Sequence, residues 1–164
     1  MLYRRRKFIL VGVSMSIKIK KCPAAESKED YLIIQAMHVS DVQKGCAFIA
    51  NKIIEAGINH DYSKISLLDN YLENSIAAKT GDEIRESKWY QTHITEERHH
   101  LNAKCPNDVN LIDVIEMLVD CVAAAIARKG YMPEPEAFTI SGEILQKAYR
   151  NTVEILGNEI ILKK

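Results

Sequence analysis

Residues 109–129 read VNLIDVIEMLVDCVAAAIARK, and this stretch decides the fold class. Wound at 3.6 residues per turn, its apolar side chains cover nearly the whole circumference of a helix. Asn107 and Asp108 stand ahead of it as candidate N-caps, and Gly130 follows it as a stop signal. We therefore expect a long helix that is buried near the centre of the fold.

The sequence on either side of this stretch is helical in pattern as well. In the segment 27–56, apolar residues recur at steps of three and four, and Gly57 is expected to end the helix; the residues are Val39, Val42, Cys46, Ile49 and Ile53. Further helices are predicted at 67–79, 82–100 and 141–156. No convincing strand pair is found, although 160–162 is a weak extended candidate. The sequence predicts an all-α protein, a compact bundle of about five to six helices.

Charge is distributed unevenly along the 164 residues, a length typical of one domain. The chain holds 22 basic and 22 acidic side chains, but seven of the basic ones and none of the acidic ones lie in residues 1–21. The remainder, 15 basic against 22 acidic, has a net charge of −7. We predict a basic, disordered extension over 1–27, with Met15 as an alternative start, followed by a single helical domain over 28–164. A nucleic-acid-binding or membrane-surface role stays open for the extension, whereas the acidic domain disfavours nucleic acid as a partner.

Cysteine usage and the apolar segments indicate the compartment. Four cysteines lie far apart without a C-x-x-C pair, which is typical of reduced, cytoplasmic proteins. The apolar run 8–15 contains Gly12 and Ser14, leads into a basic cluster and is shorter than the roughly 20 residues that span a bilayer. We expect a cytoplasmic protein, in the host cytoplasm if it is phage-encoded, with no membrane partner and with homo-oligomerisation left open.

Two carboxylates interrupt the apolar stretch with which we began. Asp113 and Asp120 are seven residues apart and lie on nearly the same stripe of the helix, with Glu116 between them. A buried carboxylate without a partner is costly, so each must face a cation, a metal ion or solvent. The stripe is therefore a solvated edge, half of a set of ion pairs, or part of a metal site.

The histidines favour the metal site. All five fall between residues 38 and 100, and if the helix over 82–100 stays regular, His93 and His100 share a face while His99 points elsewhere. A lone histidine is usually a satisfied core or surface group, but imidazoles grouped with carboxylates are ligands that suit Fe, Mn, Zn, Ni or Co. The five histidines are His38, His60, His93, His99 and His100.

The order of these residues resembles that of the HD-domain superfamily. The segment His60-Asp61-Tyr62-Ser63-Lys64, followed by Trp89, the later histidines and Asp120, is similar more narrowly to an uncharacterised family of short phage and bacterial proteins with an H-D-x-S-K signature. The resemblance covers roughly residues 35–130. The glycine-tyrosine-proline motif of cyclic-dinucleotide phosphodiesterases is absent, because the chain reads Leu-Asn-Ala-Lys over 101–104.

The resemblance implies a ligand set and roles for single residues. It implies that one metal ion is held by His38, His60, Asp61 and Asp120, and that a second ion is bound through His93, His99 and His100, with Asp61 as the bridge. Asp61 and Lys64 would be catalytic, and Lys64 and Arg98 would bind the substrate phosphate, although both cations are also compatible with solvated helix faces. Apart from the resemblance, Asp113 is a second-choice ligand or acid/base, and Glu96 and Glu97 either orient ligand imidazoles or lie on the surface.

The function that the resemblance implies is metal-dependent phosphate ester hydrolysis. The expected hydrolase acts on a small nucleotide or related phosphate ester and uses one or two divalent transition metal ions. Two alternatives stay open at this stage. One is a diiron oxygenase of the same fold, and the other is a non-catalytic module that binds a metal ion or a nucleotide.

Overall fold

The computed structural model describes residues 17–21, 24–78 and 80–163, and within them the all-α class is confirmed. Two short strands stand at the ends of the described chain, and a single 3₁₀ turn, Pro135–Ala137, precedes the last helix. The strands are β1 (Ile17–Lys20) and β2 (Ile160–Lys163). The helices are α1 (Lys28–Asn59), α2 (Tyr62–Ser66), α3 (Leu68–Ala77), α4 (Gly81–Glu86), α5 (Lys88–Glu96), α6 (Leu111–Lys129) and α7 (Gly142–Glu159).

The chain divides into two compact units. A terminal unit comprises Met1–Phe48 and Asn158–Lys164, and a central unit comprises Ile49–Gly157. Helix α1 begins in the terminal unit and ends in the central one. No helix among the described residues combines the length and the apolar character that a membrane span requires.

Part of the predicted extension belongs to the terminal unit. Strand β1 pairs in parallel with β2, so that Ile17 lies opposite Ile160, and Ile17 is only 3% exposed. Alternating Ile and Lys in β1 give a period of two, which is typical of a strand with one covered face. The expectation that all of residues 1–27 lie outside the fold is therefore wrong for 17–20, while 1–16, 22 and 23 lie outside the described residues.

Helix boundaries differ from the sequence prediction at two places. Helix α1 continues through Gly57 to Asn59, because a glycine inside a helix costs only about 1 kcal/mol and does not by itself end it. The predicted helix over 82–100 is instead two short helices divided at Ser87, whose Oγ accepts a hydrogen bond of 3.2 Å from the backbone N–H of Tyr90. Because α5 ends at Glu96, the residues that follow it lie in a turn.

The core of the central unit forms where α6 begins. Leu101, Val109 and Ala148 are buried together, and Leu111, Val114 and Met117 of α6 are among the half-buried residues that pack against them. The Thr152 hydroxyl accepts a hydrogen bond of 2.8 Å from the backbone N–H of Leu111, which fixes the first turn of α6 on α7.

The rest of α6 is more exposed than its composition suggests. Ile112 and Asp113 are its buried residues, whereas Leu118, Val119 and Ile126 are 49%, 60% and 44% exposed. The prediction of a helix buried over its whole circumference is therefore wrong. Only the N-terminal part of α6 packs against Leu101 and Val109. Its later apolar residues therefore stay accessible to solvent within the described chain.

An ion pair ties the turn after α5 to the start of α6. Asp113 is 4% exposed and accepts hydrogen bonds of 2.8 Å from both Nε and Nη2 of Arg98. Asp113 also accepts a hydrogen bond of 2.9 Å from the backbone N–H of Asn110, and the side chain of Asn110 in turn caps the helix. The Asp113 hydrogen bond raises the pKa of Arg98, and Asp108 adds a second, exposed carboxylate to the guanidinium.

Replacement of Asp113 tests this link. We expect Asp113→Ala to lower the free energy of unfolding by about 2 to 3 kcal/mol, because it removes a charged hydrogen-bond pair and a helix cap together. The matched control is Asp82→Ala, whose partner Arg85 and own side chain are both exposed, so a loss below about 1 kcal/mol is expected. Chemical denaturation measures both, and equal losses would contradict a structural role for Asp113.

Candidate metal centre

Six potential ligands converge within the central unit from four elements of the chain. His60 and Asp61 form the turn between α1 and α2, and His93 lies on α5. His99 and His100 lie in the turn after α5, and Asp120 lies on α6. Because α5 ends at Glu96, His99 and His100 do not lie on a helix, where adjacent side chains would point in different directions. Both imidazoles therefore reach the same centre.

The donor atoms of these residues fall into two groups. In the first group, one donor atom each from His60, His99 and Asp120 lies within 4.8 Å of the others, and His60 Nε2 is 3.4 Å from Asp120 Oδ1. In the second group, the same holds for Asp61, His93 and His100, and the Nε2 atoms of the two histidines are 2.9 Å apart. Each group offers three donors.

The Asp61 carboxylate lies between the two groups. Its Oδ2 is 3.4 Å from His60 Nε2, while its Oδ1 is 3.4 Å from His93 Nε2 and 3.7 Å from His99 Nε2. The backbone of Asp61 is left-handed, with φ 57° and ψ 27°, a conformation that Asp adopts more readily than most residues but that is still uncommon. The turn therefore holds the carboxylate where it reaches both groups.

The residues fit a metal centre by two independent observations. Asp61 Oδ1 and His99 Nε2 are buried atoms without a hydrogen-bond partner, which is costly unless something else compensates them. Ligand bonds of about 2.1 Å around one ion separate neighbouring donors by roughly 3.0 to 3.5 Å. Within the groups, His93 Nε2 and His100 Nε2 are 2.9 Å apart, and the pairs His60–Asp120 and Asp61–His93 are each 3.4 Å apart, which is close to that spacing. Imidazole and carboxylate donors suit Mn, Fe, Co, Ni or Zn.

Fixed oxygen atoms hold three of the imidazoles in orientation. Glu116 Oε1 lies 3.0 Å from His60 Nδ1 and 3.2 Å from His99 Nδ1, and Ser63 Oγ lies 2.7 Å from His93 Nδ1. With Nδ1 directed to these oxygens, Nε2 of each ring is left facing the donor groups. Ligand histidines are commonly oriented in this way, through the ring nitrogen that does not bind the metal.

The protonation states of the second group suit ligands. Burial lowers the pKa of His93, and burial together with the neighbouring His99 and His93 lowers the pKa of His100 to about 4, so both rings are neutral near pH 7. Burial alone would raise the pKa of Asp61, but the hydrogen bond and charge of Lys64 bring it below its usual value. Neutral imidazoles and an ionised carboxylate are the forms that bind metal ions.

Beside the first group, Glu116 supplies a negative charge to two of the imidazoles. Burial alone would raise the pKa of Glu116, but the neighbouring His99 and His60 rings lower it, so this carboxylate is ionised. Burial would lower the pKa of His99, but the Glu116 carboxylate 3.2 Å from its Nδ1 outweighs burial and raises that pKa. A metal ion at His99 would therefore compete with a proton for this ring.

Three candidate site residues belong to neither donor group. His38 is an exposed residue of the terminal unit and belongs to neither donor group. Every nitrogen of the Arg98 guanidinium donates to Asp113 or Asp108, so the expectation that Arg98 binds substrate is replaced by a structural role. Asp113, the second-choice ligand, is occupied by the same ion pair.

Sequence reasoning missed the roles of two residues at the centre. Glu116 orients two imidazoles, and its position four residues before Asp120, on the same helix face, was an available signal. Ser63, which is 4% exposed, stands within the H-D-x-S-K segment but carried no predicted role. Glu97, for which a surface location and an imidazole-orienting role were both considered, accepts a hydrogen bond of 2.7 Å from the backbone N–H of Ser63.

Metal content distinguishes the ligands from the remaining histidine. We expect the purified protein, equilibrated with Mn²⁺ or Co²⁺ and desalted, to hold about two equivalents of metal per chain by mass spectrometry, one for each donor group. His99→Ala and His100→Ala should each lose about one equivalent, since each removes a donor from one group. His38→Ala is the matched control and should keep both; a loss there equal to that of His99→Ala would contradict this assignment.

Neither curated proteins nor solved structures gave a match to the chain. One family model matches the chain. The match covers residues 28–160, which include both donor groups and the described helices. The chain therefore belongs to a family of unknown function, DUF5662.

Proposed function

We propose that this protein is a metal-dependent phosphohydrolase that acts on a small nucleotide or a related phosphate ester. The observation that carries the proposal is the pair of donor groups that share the Asp61 carboxylate. The resemblance of the ordered His and Asp residues to HD-domain proteins, most of which hydrolyse phosphate esters, supports the same reaction class.

The residues of the chain would divide the work as follows. His60, His99 and Asp120 would hold one ion, and His93 and His100 a second, with Asp61 between them. When bound, divalent ions of this kind lower the pKa of a coordinated water towards neutrality and neutralise charge on phosphoryl oxygens. Glu116 and Ser63 keep the imidazole rings in place, so the donors need little rearrangement.

Lys64 is placed to bind the phosphoryl group. It lies one helical turn after Asp61, and its Nζ donates a hydrogen bond to Asp61 Oδ2. The Lys64 side chain is 44% exposed, so its ammonium group is accessible from solvent at the edge of the donor groups. An ammonium ion there would attract a phosphoryl oxygen as a point charge and hold the ester beside Asp61.

A hydrolysis assay with matched variants tests the proposal. Protein loaded with Mn²⁺, Co²⁺, Ni²⁺ or Fe²⁺ should release phosphate or pyrophosphate from members of a panel of nucleotides and simple phosphate esters. His60→Ala and Asp61→Asn should lower the rate at least about 100-fold, because each removes a metal ligand, while His38→Ala should keep it.

Three outcomes would contradict the proposal. Release that persists in both ligand variants would show that the centre is not responsible. Oxygen uptake by the iron-loaded protein without phosphate release would favour an oxygenase. Stabilisation by nucleotides without any product would favour a binding module.

The role of Lys64 has its own test. We expect Lys64→Met to leave metal content unchanged and to raise KM about tenfold or more, because a charged hydrogen bond to the phosphoryl group is lost. Lys129→Met, an exposed lysine at the end of α6, is the control and should leave KM unchanged. Steady-state kinetics decide the point, and an unchanged KM in Lys64→Met would remove this lysine from the binding site.

A further inference from the structure

A small apolar pocket opens beside the first donor group. Its volume is about 260 Å³, and every residue that lines it belongs to the central unit. Its lining consists of Gly57, four residues with aliphatic side chains and three polar residues of the candidate centre. The aliphatic residues are Ile53, Ile115, Val119 and Ala123, and the polar residues are His60, Glu116 and Asp120.

The chemistry of the lining limits what the pocket can hold. Its polar residues are His60 and Asp120, which are two donors of the candidate centre, and Glu116, which orients the His60 ring; the other lining residues are aliphatic or glycine. The described lining therefore offers no amide, hydroxyl or cation away from the centre for the polar edge of a nucleobase. Binding of an apolar group in such a pocket is favourable, because the pocket removes hydrocarbon surface from water.

The size of the pocket sets the size of that group. At about 30 Å³ for each water-sized group, roughly eight non-hydrogen atoms fit. This is below the volume of about 300 Å³ at which pockets for complete drug-sized ligands begin. The pocket thus accepts one substituent, such as a short alkyl chain or a single aromatic ring, and not a whole dinucleotide.

A second cavity, which also reaches Glu116, has the opposite character. It measures about 490 Å³, and its lining includes five carboxylates against the two cations Lys52 and Arg98. Both cations are already paired, with Glu55 and with Asp113. Negative charge on this side disfavours a substrate that extends there through further phosphates.

We propose that the apolar pocket binds the alcohol part of the substrate, so that the preferred substrate is a phosphate monoester of a short aliphatic or aromatic alcohol. This inference rests on the proposed function, because it takes the phosphoryl group to lie at the donor residues. His60 and Asp120 belong both to the pocket and to the first donor group, which places the apolar group directly beside the phosphoryl group.

Binding of non-hydrolysable phosphonates tests the pocket without turnover. Methyl-, butyl- and hexylphosphonate are titrated into the Mn²⁺-loaded protein by calorimetry. Affinity should rise about fourfold for each methylene up to the length that fills the pocket, as expected for buried hydrocarbon. Equal affinities for the methyl and hexyl compounds, or no binding of any of them, would overturn the proposal.

Two glycine variants on the same helix test whether the alkyl group of the phosphonate binds in the pocket. Gly57 lines the pocket, and a Cβ added there meets nothing within 4 Å, so Gly57→Leu places a side chain in the open space. Gly57→Leu should bind methylphosphonate as tightly as the unmodified protein does. Its affinity should no longer rise with the length of the alkyl group. Gly45→Leu is the matched control, since Gly45 also lies on α1 with open space around it but outside the pocket.

The outcomes separate this inference from the proposed function. A gain with chain length that Gly57→Leu abolishes and Gly45→Leu keeps supports the pocket, even if no ester is hydrolysed and the proposed function fails. Hydrolysis with equal phosphonate affinities, or a gain that Gly57→Leu preserves, overturns the pocket and leaves the proposed function standing. The Co²⁺ absorption spectrum of each variant should match that of the unmodified protein, which checks that the centre is intact.

Discussion

The structure depends on the position of the Asp61 carboxylate among the imidazoles of the central unit. One of its oxygens is buried without a hydrogen-bond partner and lies within 3.7 Å of both His93 and His99. Because an uncompensated buried carboxylate is expensive, the surrounding residues are arranged to make it tolerable. Lys64 donates to its other oxygen, and the left-handed turn at Asp61 holds the carboxylate in place. A metal ion on each side would compensate the remaining atoms.

Periodicity predicted the helices well but not where they end or how far they are buried. The strongest pattern, over 109–129, is indeed helix α6, yet its C-terminal part is exposed because local hydrophobicity does not reveal how much partner surface exists. Gly57 was expected to end α1 and does not, since neighbouring residues sustain the helix. Pairing of Ile17 with Ile160 was missed because the two strands are far apart in sequence.

The ordered motif predicted which residues lie together in the candidate site, with one exception. His60, Asp61 and the later residues converge as the ordered motif implied, whereas His38 lies in the other unit. Helical spacing alone suggested that His99 would point away from His93 and His100. Because α5 ends at Glu96, His99 lies in a turn and its ring reaches the same centre. Arg98 was assigned to substrate because a sequence does not show whether a cation is already paired, and here it is.

The central claim is that two ions bind on either side of Asp61. Diffraction from crystals equilibrated with Mn²⁺, recorded near the manganese absorption edge, tests it most directly. The account predicts two anomalous peaks, one in contact with His60, His99 and Asp120 and the other with His93 and His100, both touching the Asp61 carboxylate. Anomalous peaks that avoid Asp61, or the absence of any peak at these residues, would contradict it.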